Sequence, residues 1–259
     1  MERLEQALSK ARSERQNRNR IDKELLLRES AARPLVRSET AVVALNPKLL
    51  CKNHIIANQV DHDVTDVFRS LRAQVLRRLG KNGVTTLAIT SLGQGEGKTT
   101  LAINLAIAIS MDINQTVLLV DADLRTPSVA KYLGLEPKAG LADLLAGRAT
   151  IPECLINPSL PRLCILPSRD SIDNSAELLS SPQMLRVVHE LRSRYSDRVI
   201  IFDLPPMLTV ADTIGFLPIL DATLLVVRDG TVQGTDLKRM MGLLHEHNLI
   251  GTVLNAAAQ

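Results

Sequence analysis

From residue 84 onward, short runs of β-branched and aliphatic residues alternate with longer segments of helical periodicity. The runs that predict strands are 84–90, 116–122, 163–168, 198–204, 222–228 and 250–256. The predicted helices begin near Lys98, Ser128, Ala176, Gln183, Ala211 and Thr235. Such alternation is typical of right-handed βαβ crossovers, in which helices cover both faces of a parallel sheet. We therefore predict an α/β protein with a doubly wound, mostly parallel sheet over about residues 84–257.

The first eighty residues follow a different pattern. Helical spacing near the N-terminus gives way to a polar stretch, and the residues from Pro34 to about 60 are irregular, as in a linker. Residues 63–79 predict an amphipathic helix, because apolar residues recur on one face. That stripe consists of Val64, Phe68, Leu71, Val75 and Leu79. We expect a basic helical N-terminal segment and linker over residues 1–60, and one domain over 61–259 in which this helix packs on or beside the sheet.

The composition agrees with a buried parallel sheet. Apolar residues make up 45% of the 259 residues and aromatic residues only 2%, so aliphatic side chains must fill the core. Three scattered cysteines are typical of a reducing cytosol. No apolar run approaches the roughly 18 residues of a membrane span. We expect a cytoplasmic protein without a span of its own.

The net charge of +3 lies entirely in the first forty residues, which hold ten basic and seven acidic residues. A segment of mixed charge is typical of a solvated helix, and docking to acidic lipid or to an acidic partner is the alternative. Nucleic-acid binding is not expected, because no aromatic residue is interleaved with these arginines.

The stretch TSLGQGEGKTTLAINLA, residues 90–106, nearly matches the phosphate-loop pattern G-x-x-x-x-G-K-[ST]; Leu92 stands at the first glycine. The loop follows a predicted strand and opens a predicted helix, so Gly93, Gly95 and Gly97 would leave backbone N–H groups free for phosphate oxygens. Lys98 would reach the β- and γ-phosphates, and the Thr99 hydroxyl would bind Mg²⁺. The alternative is a glycine-rich turn with a solvated lysine.

Carboxylates at two strand ends make that alternative less attractive. Asp121 and Asp123 lie at the C-terminal end of the predicted strand over 116–122, and Asp203 lies at the end of the one over 198–204. Open α/β sheets bind ligands at the carboxyl ends of their strands. Mg-nucleotide chemistry requires oxygen ligands for the metal and a base near the γ-phosphate, although each aspartate, Asp123 above all, could instead cap a turn. Together with the loop, these residues predict a nucleotide site.

The motifs resemble those of the bacterial tyrosine kinases of exopolysaccharide and capsule synthesis, which are related to MinD- and ParA-type ATPases. LLVDADLR matches the family's Walker A′ motif, and IIFDLPP matches Walker B with Leu204 in place of a hydroxyl residue. The resemblance implies a P-loop NTPase fold with a deviant Walker A, and ATP and Mg²⁺ as cofactors. The implied catalytic residues are Lys98, Asp121, Asp123 and Asp203. The implied nucleotide contacts are Gly93, Gln94, Gly95, Glu96, Gly97, Lys98, Thr99, Thr100 and Arg125. The implied metal ligands are Thr99, Asp121 and Asp203.

The resemblance also implies assembly and a partner. The family's E-x-x-R-x-x-R oligomerisation motif corresponds to Asp66, Arg69 and Arg72, so a homo-oligomer is expected, with two solvated arginines as the alternative. The implied partner is a membrane polysaccharide chain-length determinant, which would place the protein at the inner face of the cell membrane. Arg125 is expected either to hold the Walker A′ turn or to touch phosphate.

Whether the phosphate goes to tyrosine or to water is open from the sequence. Family kinases end in a tyrosine-rich tail, whereas this chain holds only Tyr132 and Tyr195, both expected to be structural. The MinD and ParA class carries a lysine where this chain has Gly93, which favours the kinase branch. A kinase whose acceptor lies in a partner is the first hypothesis, and a non-kinase ATPase switch of the MinD/ParA type is the second.

Overall fold

The computed structural model describes residues 40–57, 63–80, 85–194, 198–209, 212–230, 234–244 and 247–256. The expected N-terminal helical segment and Tyr195 lie outside these ranges. No helix within them combines the length and the hydropathy that crossing a lipid bilayer requires.

Eight strands form one sheet. They are β1 (Ala41–Val42), β2 (Thr86–Ser91), β3 (Thr116–Asp121), β4 (Ile156–Asn157), β5 (Leu163–Leu166), β6 (Arg198–Asp203), β7 (Ala222–Arg228) and β8 (Leu249–Asn255). Their order is β1-β4-β5-β3-β6-β2-β7-β8, and every neighbouring pair is parallel except β4 with β5. The six predicted strands and the mostly parallel α/β fold are confirmed.

Ten α-helices lie among the described residues, with a 3₁₀ turn over Leu217–Ile219. They are α1 (Pro47–Lys52), α2 (Asp63–Gly80), α3 (Lys98–Ser110), α4 (Val129–Leu133), α5 (Leu141–Leu145), α6 (Ile151–Cys154), α7 (Ser175–Leu179), α8 (Pro182–Arg194), α9 (Asp212–Phe216) and α10 (Gly234–Leu244). The six predicted helix starts are confirmed to within one residue. The short helices α1, α5 and α6 were not predicted.

Two hydrophobic cores lie on the opposite faces of the sheet. Side chains alternate along each strand, so Leu87 and Ile89 of β2 face the first core and Ala88 faces the second. The first core holds α3, which is apolar on nearly all sides because it lies between the sheet and α2. Val75 and Leu79 of α2 belong to the same core, so the expected packing of this helix against the domain is confirmed.

The expected linker before residue 60 is structured from 40 to 57. β1 extends the sheet edge beside β4, and Leu50, Ile55 and Ala57 are buried in the first core. Asn104 of α3 holds this segment: its Oδ1 accepts the N–H groups of Ile56 and Ala57 at 2.8 and 3.0 Å, and its Nδ2 donates to the His54 carbonyl at 2.9 Å. A two-residue strand, the six-residue helix α1 and a stretch held by one distant side chain are each too short to leave a periodic pattern in the sequence.

Candidate nucleotide-binding site

The phosphate loop connects β2 to α3 at the carboxyl edge of the sheet. Gly97 caps the N-terminus of α3 with φ 90°, a left-handed conformation that glycine adopts without strain. β6 lies between β2 and β3, and its register sets Asp203 opposite both Ile89 and Asp121. The loop and the predicted carboxylates therefore meet at one edge of the sheet.

Lysine and threonine of the loop are each held by an aspartate. Lys98 Nζ lies 2.7 Å from Asp123 Oδ2, and Thr99 Oγ1 donates to Asp203 Oδ2 at 2.7 Å. The side chain of Lys98 is only 12% exposed. Burial alone would lower the pKa of Lys98, but the charges of Asp203 and Asp123 outweigh it and raise the pKa, so the lysine is cationic. The alternative of a solvated lysine is wrong.

The carboxylates of Asp121 and Asp203 are both buried, and the two residues are paired on neighbouring strands. Asp121 Oδ2 caps α4 by accepting the N–H groups of Ser128 and Val129, both at 3.0 Å. Burial and the nearby charge of Asp203 raise the pKa of Asp121 well above its ordinary value. Burial also raises the pKa of Asp203, although Lys98 and the hydrogen bond from Thr99 lower it in part.

Within the described part of the chain, neither Asp121 Oδ1 nor Asp203 Oδ1 has a hydrogen-bond partner. Asp203, whose other oxygen accepts the Thr99 hydroxyl, and Asp121 thus each offer a buried carboxylate oxygen of the hard type that Mg²⁺ prefers. The described residues contain no cluster of three acidic, histidine or cysteine ligands. Mg²⁺ does not require one, since it is usually held by one or two carboxylates, waters and substrate phosphates. The residues present therefore fit magnesium brought in with a nucleotide.

A cleft of about 230 Å³ opens beside the loop. It is lined by Gln94, Gly95, Gly97, Lys98, Thr99, Thr100, Asp123, Thr126, Ser128, Tyr132 and Pro206. Thr126, Ser128, Tyr132 and Pro206 were not predicted to line a site. Hydroxyl residues directly after a Walker A′ strand are a signal that could have indicated the first two. Tyr132 is partly buried against the first core, as expected of a structural aromatic, yet it also faces the cleft.

Several of the expected site residues lie elsewhere than on the cleft wall. Arg125 Nε lies 3.8 Å from Asp212 Oδ1, an ion pair that ties the turn after β3 to α9. Of the two roles expected for Arg125, this contact favours holding the turn. The N–H of Gly93 donates to the Glu96 carboxylate at 3.1 Å and so is engaged inside the loop rather than free for phosphate.

The three residues of the expected oligomerisation motif lie on α2. Arg69 Nη1 pairs with Asp66 Oδ1 at 2.7 Å, and both side chains are more than half exposed. Arg72 Nη1 instead donates to the carbonyl of Ala108 at the end of α3. Arg69 therefore presents its guanidinium at the surface, whereas Arg72 contributes to packing within the domain.

A phosphate loop between the interior strand β2 and the buried helix α3, flanked by strand-end aspartates, defines the class: this is a P-loop nucleotide-binding protein. A family model described as an AAA domain matches residues 84–248, more than half of the chain. The chain belongs to that family and, within it, to the bacterial tyrosine kinases of exopolysaccharide and capsule biosynthesis, which are related to MinD-type ATPases.

Individual relatives and solved structures support the same family. Tyrosine-protein kinase YwqD of Bacillus subtilis is 31% identical over 193 residues, which cover 74% of this chain and 80% of YwqD. Putative tyrosine-protein kinase EpsB of Ralstonia solanacearum is 31% identical over 206 residues, 78% of this chain but only 27% of EpsB. The crystal structure of the chimerical protein CapA2B2 superposes with a TM-score of 0.74 at 26% identity, covering 85% of this chain and 94% of that one. MinD from Pyrococcus horikoshii, solved with Mg-ADP, is more distant, with a TM-score of 0.56 at 26% identity over 65% of this chain and 69% of that one.

Proposed function

We propose that this protein binds Mg-ATP at the loop over residues 92–100 and transfers the γ-phosphoryl group to a tyrosine. The observation that carries the proposal is the pairing of Lys98 with Asp123 and of Thr99 with Asp203 at 2.7 Å each. These contacts hold a cation and a hydroxyl ready for phosphate and metal before either arrives. The kinase names of YwqD and EpsB support transfer to tyrosine.

Each side chain has a role that its contacts support. Lys98 would neutralise charge on the β- and γ-phosphates, and Thr99 and Asp203 would hold Mg²⁺, which offsets the charge that develops during transfer. A general base needs a free lone pair and a pKa nearer to neutral than that of an ordinary aspartate. Asp121 Oδ1 has no hydrogen-bond partner among the described residues, and burial raises the pKa of Asp121 well above its ordinary value. Both oxygens of Asp123 are instead engaged, by Lys98 and Thr126. We assign Asp121 as the base and Asp123 as the residue that orients Lys98.

The second candidate is an ATPase switch that phosphorylates no protein. The likeness to MinD and the scarcity of tyrosines favour it, since the chain has only two. Both functions use one active site, because they differ in whether water or a phenol attacks the γ-phosphate. Gly93 at the position of the MinD-type lysine favours the kinase.

Incubation of the purified protein with Mg²⁺ and γ-labelled ATP separates the two functions. For the kinase we expect label on tyrosine, either on a partner or on Tyr132, which lines the cleft. Label that appears without a partner and is lost in Tyr132→Phe would identify the acceptor in this chain. Label that appears only with a partner's cytoplasmic region would place it there. Release of inorganic phosphate with no labelled protein under either condition would instead establish the ATPase switch.

We further propose that the protein works with a membrane polysaccharide chain-length determinant. The chain spans about a quarter of EpsB, so the kinase-like part of that relative is joined to other sequence. Here the corresponding partner would be a cytoplasmic segment of a membrane protein, with this chain bound peripherally at the inner face of the membrane. The pairing is tested by adding such a cytoplasmic segment to the labelling experiment and by measuring its binding to this protein. A segment that does not bind and does not change the rate of ATP turnover would contradict the pairing.

Self-association through the exposed side of α2 is the last part of the proposal. Arg69→Ala should shift the protein toward monomer in sedimentation velocity with ATP and Mg²⁺, because it removes an exposed guanidinium whose pairing with Asp66 leaves further N–H groups for a neighbouring subunit's carboxylates. Arg77→Ala, an exposed arginine in the last turn of the same helix, is the matched control. Equal mass distributions for the two variants would favour a solvated Arg69.

A further inference from the structure

The loop position that is usually glycine is held by a carboxylate from within the loop. Leu92 stands there and is buried, with 4% of its surface exposed. Its N–H donates to Glu96 Oε2 at 3.1 Å, and the N–H of Gly93 donates to Glu96 Oε1 at 3.1 Å. One side chain therefore satisfies two consecutive amides at the start of the loop.

The Glu96 carboxylate lies on the side of the loop that faces away from the cleft. Of the nine residues over 92–100, six line the cleft, and the three that do not are Leu92, Gly93 and Glu96. Glu96 is itself only 7% exposed. Its negative charge therefore lies behind the loop, away from the surface that would face phosphates, and its two hydrogen bonds close the loop from that side.

A second side chain holds the other end of the loop from β8. Asn255, the last residue of that strand, donates from Nδ2 to the Glu96 carbonyl at 2.8 Å. Its own carbonyl accepts the N–H of Asp229 at 2.9 Å, which fixes the end of the strand. A Cβ atom on Gly97 would overlap Asn255 Nδ2, so the asparagine lies directly against the turn into α3.

We infer that Glu96 and Asn255 are positioning residues that hold the phosphate loop in its binding shape without the first glycine and without nucleotide. The inference rests on the proposed function, since it names what shapes that same site. Glu96 fixes residues 92 and 93 through its side chain, and Asn255 fixes the peptide between residues 96 and 97. A loop ordered in advance loses less conformational freedom on binding, so both residues should strengthen nucleotide affinity without touching the nucleotide.

Glu96→Gln tests the first contact, because an amide nitrogen would then face an N–H group that needs an acceptor. We expect hydrogen exchange of the Leu92 and Gly93 amides to accelerate in the nucleotide-free protein, and Mg-ADP to bind about tenfold more weakly. Glu190→Gln, on the surface of α8, is the matched control. Unchanged exchange at both amides, together with affinity within twofold of wild type, would overturn the role of Glu96.

The second contact is tested by asking which of two substitutions, Asn255→Ala or Asn255→Asp, has the larger effect on the loop. If the hydrogen bond to the Glu96 carbonyl matters, Asp must be the worse substitution, because its carboxylate repels that carbonyl while filling the same space. The order is read from hydrogen exchange of the loop amides in the nucleotide-free protein, because a new carboxylate beside this loop would repel phosphate in any case. If Asn255 only fills space, Ala speeds that exchange more than Asp does, and the inference fails for this residue. Asn248→Ala is the control, since Asn248 makes the same type of bond, to the Asp221 carbonyl, just before the other end of β8.

Failure of the proposed function has a different signature. A wild-type protein that binds no Mg-ADP or Mg-ATP would contradict nucleotide binding, while hydrogen exchange of residues 92 and 93 would still report whether Glu96 orders the loop. Normal binding by wild type with no effect of any of these variants on affinity or exchange would leave the function intact and overturn the inference.

Discussion

Lys98→Met is expected to lower ATP turnover about a thousandfold, the scale on which preorganised charges stabilise a transition state. The variant keeps the aliphatic length of lysine and removes the cation that Asp123 and Asp203 hold at the loop. Because that cation would meet the β- and γ-phosphates, affinity for ATP should fall as well. Steady-state phosphate release and titration with a fluorescent ATP analogue measure the two losses.

The same substitution leaves Asp123 buried without its partner. Breaking a buried ion pair costs about 3 kcal/mol, which is below the 5–15 kcal/mol that stabilises a typical domain. The variant should therefore fold, with a lower unfolding midpoint, and activity should be compared well below that midpoint. Lys238→Met, an exposed lysine on α10, is the control. Tight ATP binding by the folded Lys98→Met protein would refute the site assignment.

Asp121→Asn is expected to change activity and stability in opposite directions. Turnover should fall at least a hundredfold, because the amide cannot act as a base. The nucleotide-free protein should become more stable by about 1 kcal/mol, or a few degrees in Tm. The amide oxygen can keep the two N–H contacts to α4, and the substitution removes a buried charge beside Asp203.

The pH dependence of that gain has a definite sign. The pKa of Asp121 is raised in the folded protein by burial and by Asp203, so the folded state holds this proton more tightly than the unfolded state does. Wild type therefore loses stability as pH rises above the ordinary aspartate pKa, about 3.9, toward the raised value. Asp121→Asn lacks this loss, so its advantage should grow with pH over that window. Thermal unfolding in EDTA at several pH values measures it; an advantage that shrinks with rising pH would contradict the assignment.

Local pattern was sufficient for most of the fold. Five of the six longer strands are largely buried apolar runs, and β8 is a partly exposed one that alternates with polar residues. Each longer helix has a clear period or a clear start. The phosphate loop was evident from Gly97, Lys98 and Thr99 despite Leu92, because the last three residues of the motif carry its chemistry. The aspartates followed from their position at strand ends.

Contacts between residues far apart in the sequence could not be predicted from the local pattern. Nothing in the sequence around Asn255 shows that its amide reaches Glu96, 159 positions earlier. The sequence predicts Tyr132 as an ordinary aromatic of a helix, and the packing of α4 against α1 and α3 brings it to the cleft. The segment over 40–57 resembles a linker in sequence because its strand and helix are short and its last residues are held by Asn104, about fifty positions later.

The sequence by itself determined which segments become strands and helices, and which residues can bind phosphate and metal. These properties depend on each residue's own side chain and its near neighbours. Only the tertiary structure decided which of these residues meet. The strand order sets Asp121 beside Asp203 and brings Lys98 to Asp123. Burial, together with Asp203, raises the pKa of Asp121, and the charges of Asp203 and Asp123 raise the pKa of Lys98. Burial and charge act through space, so the arrangement of the sheet gave these side chains their chemistry.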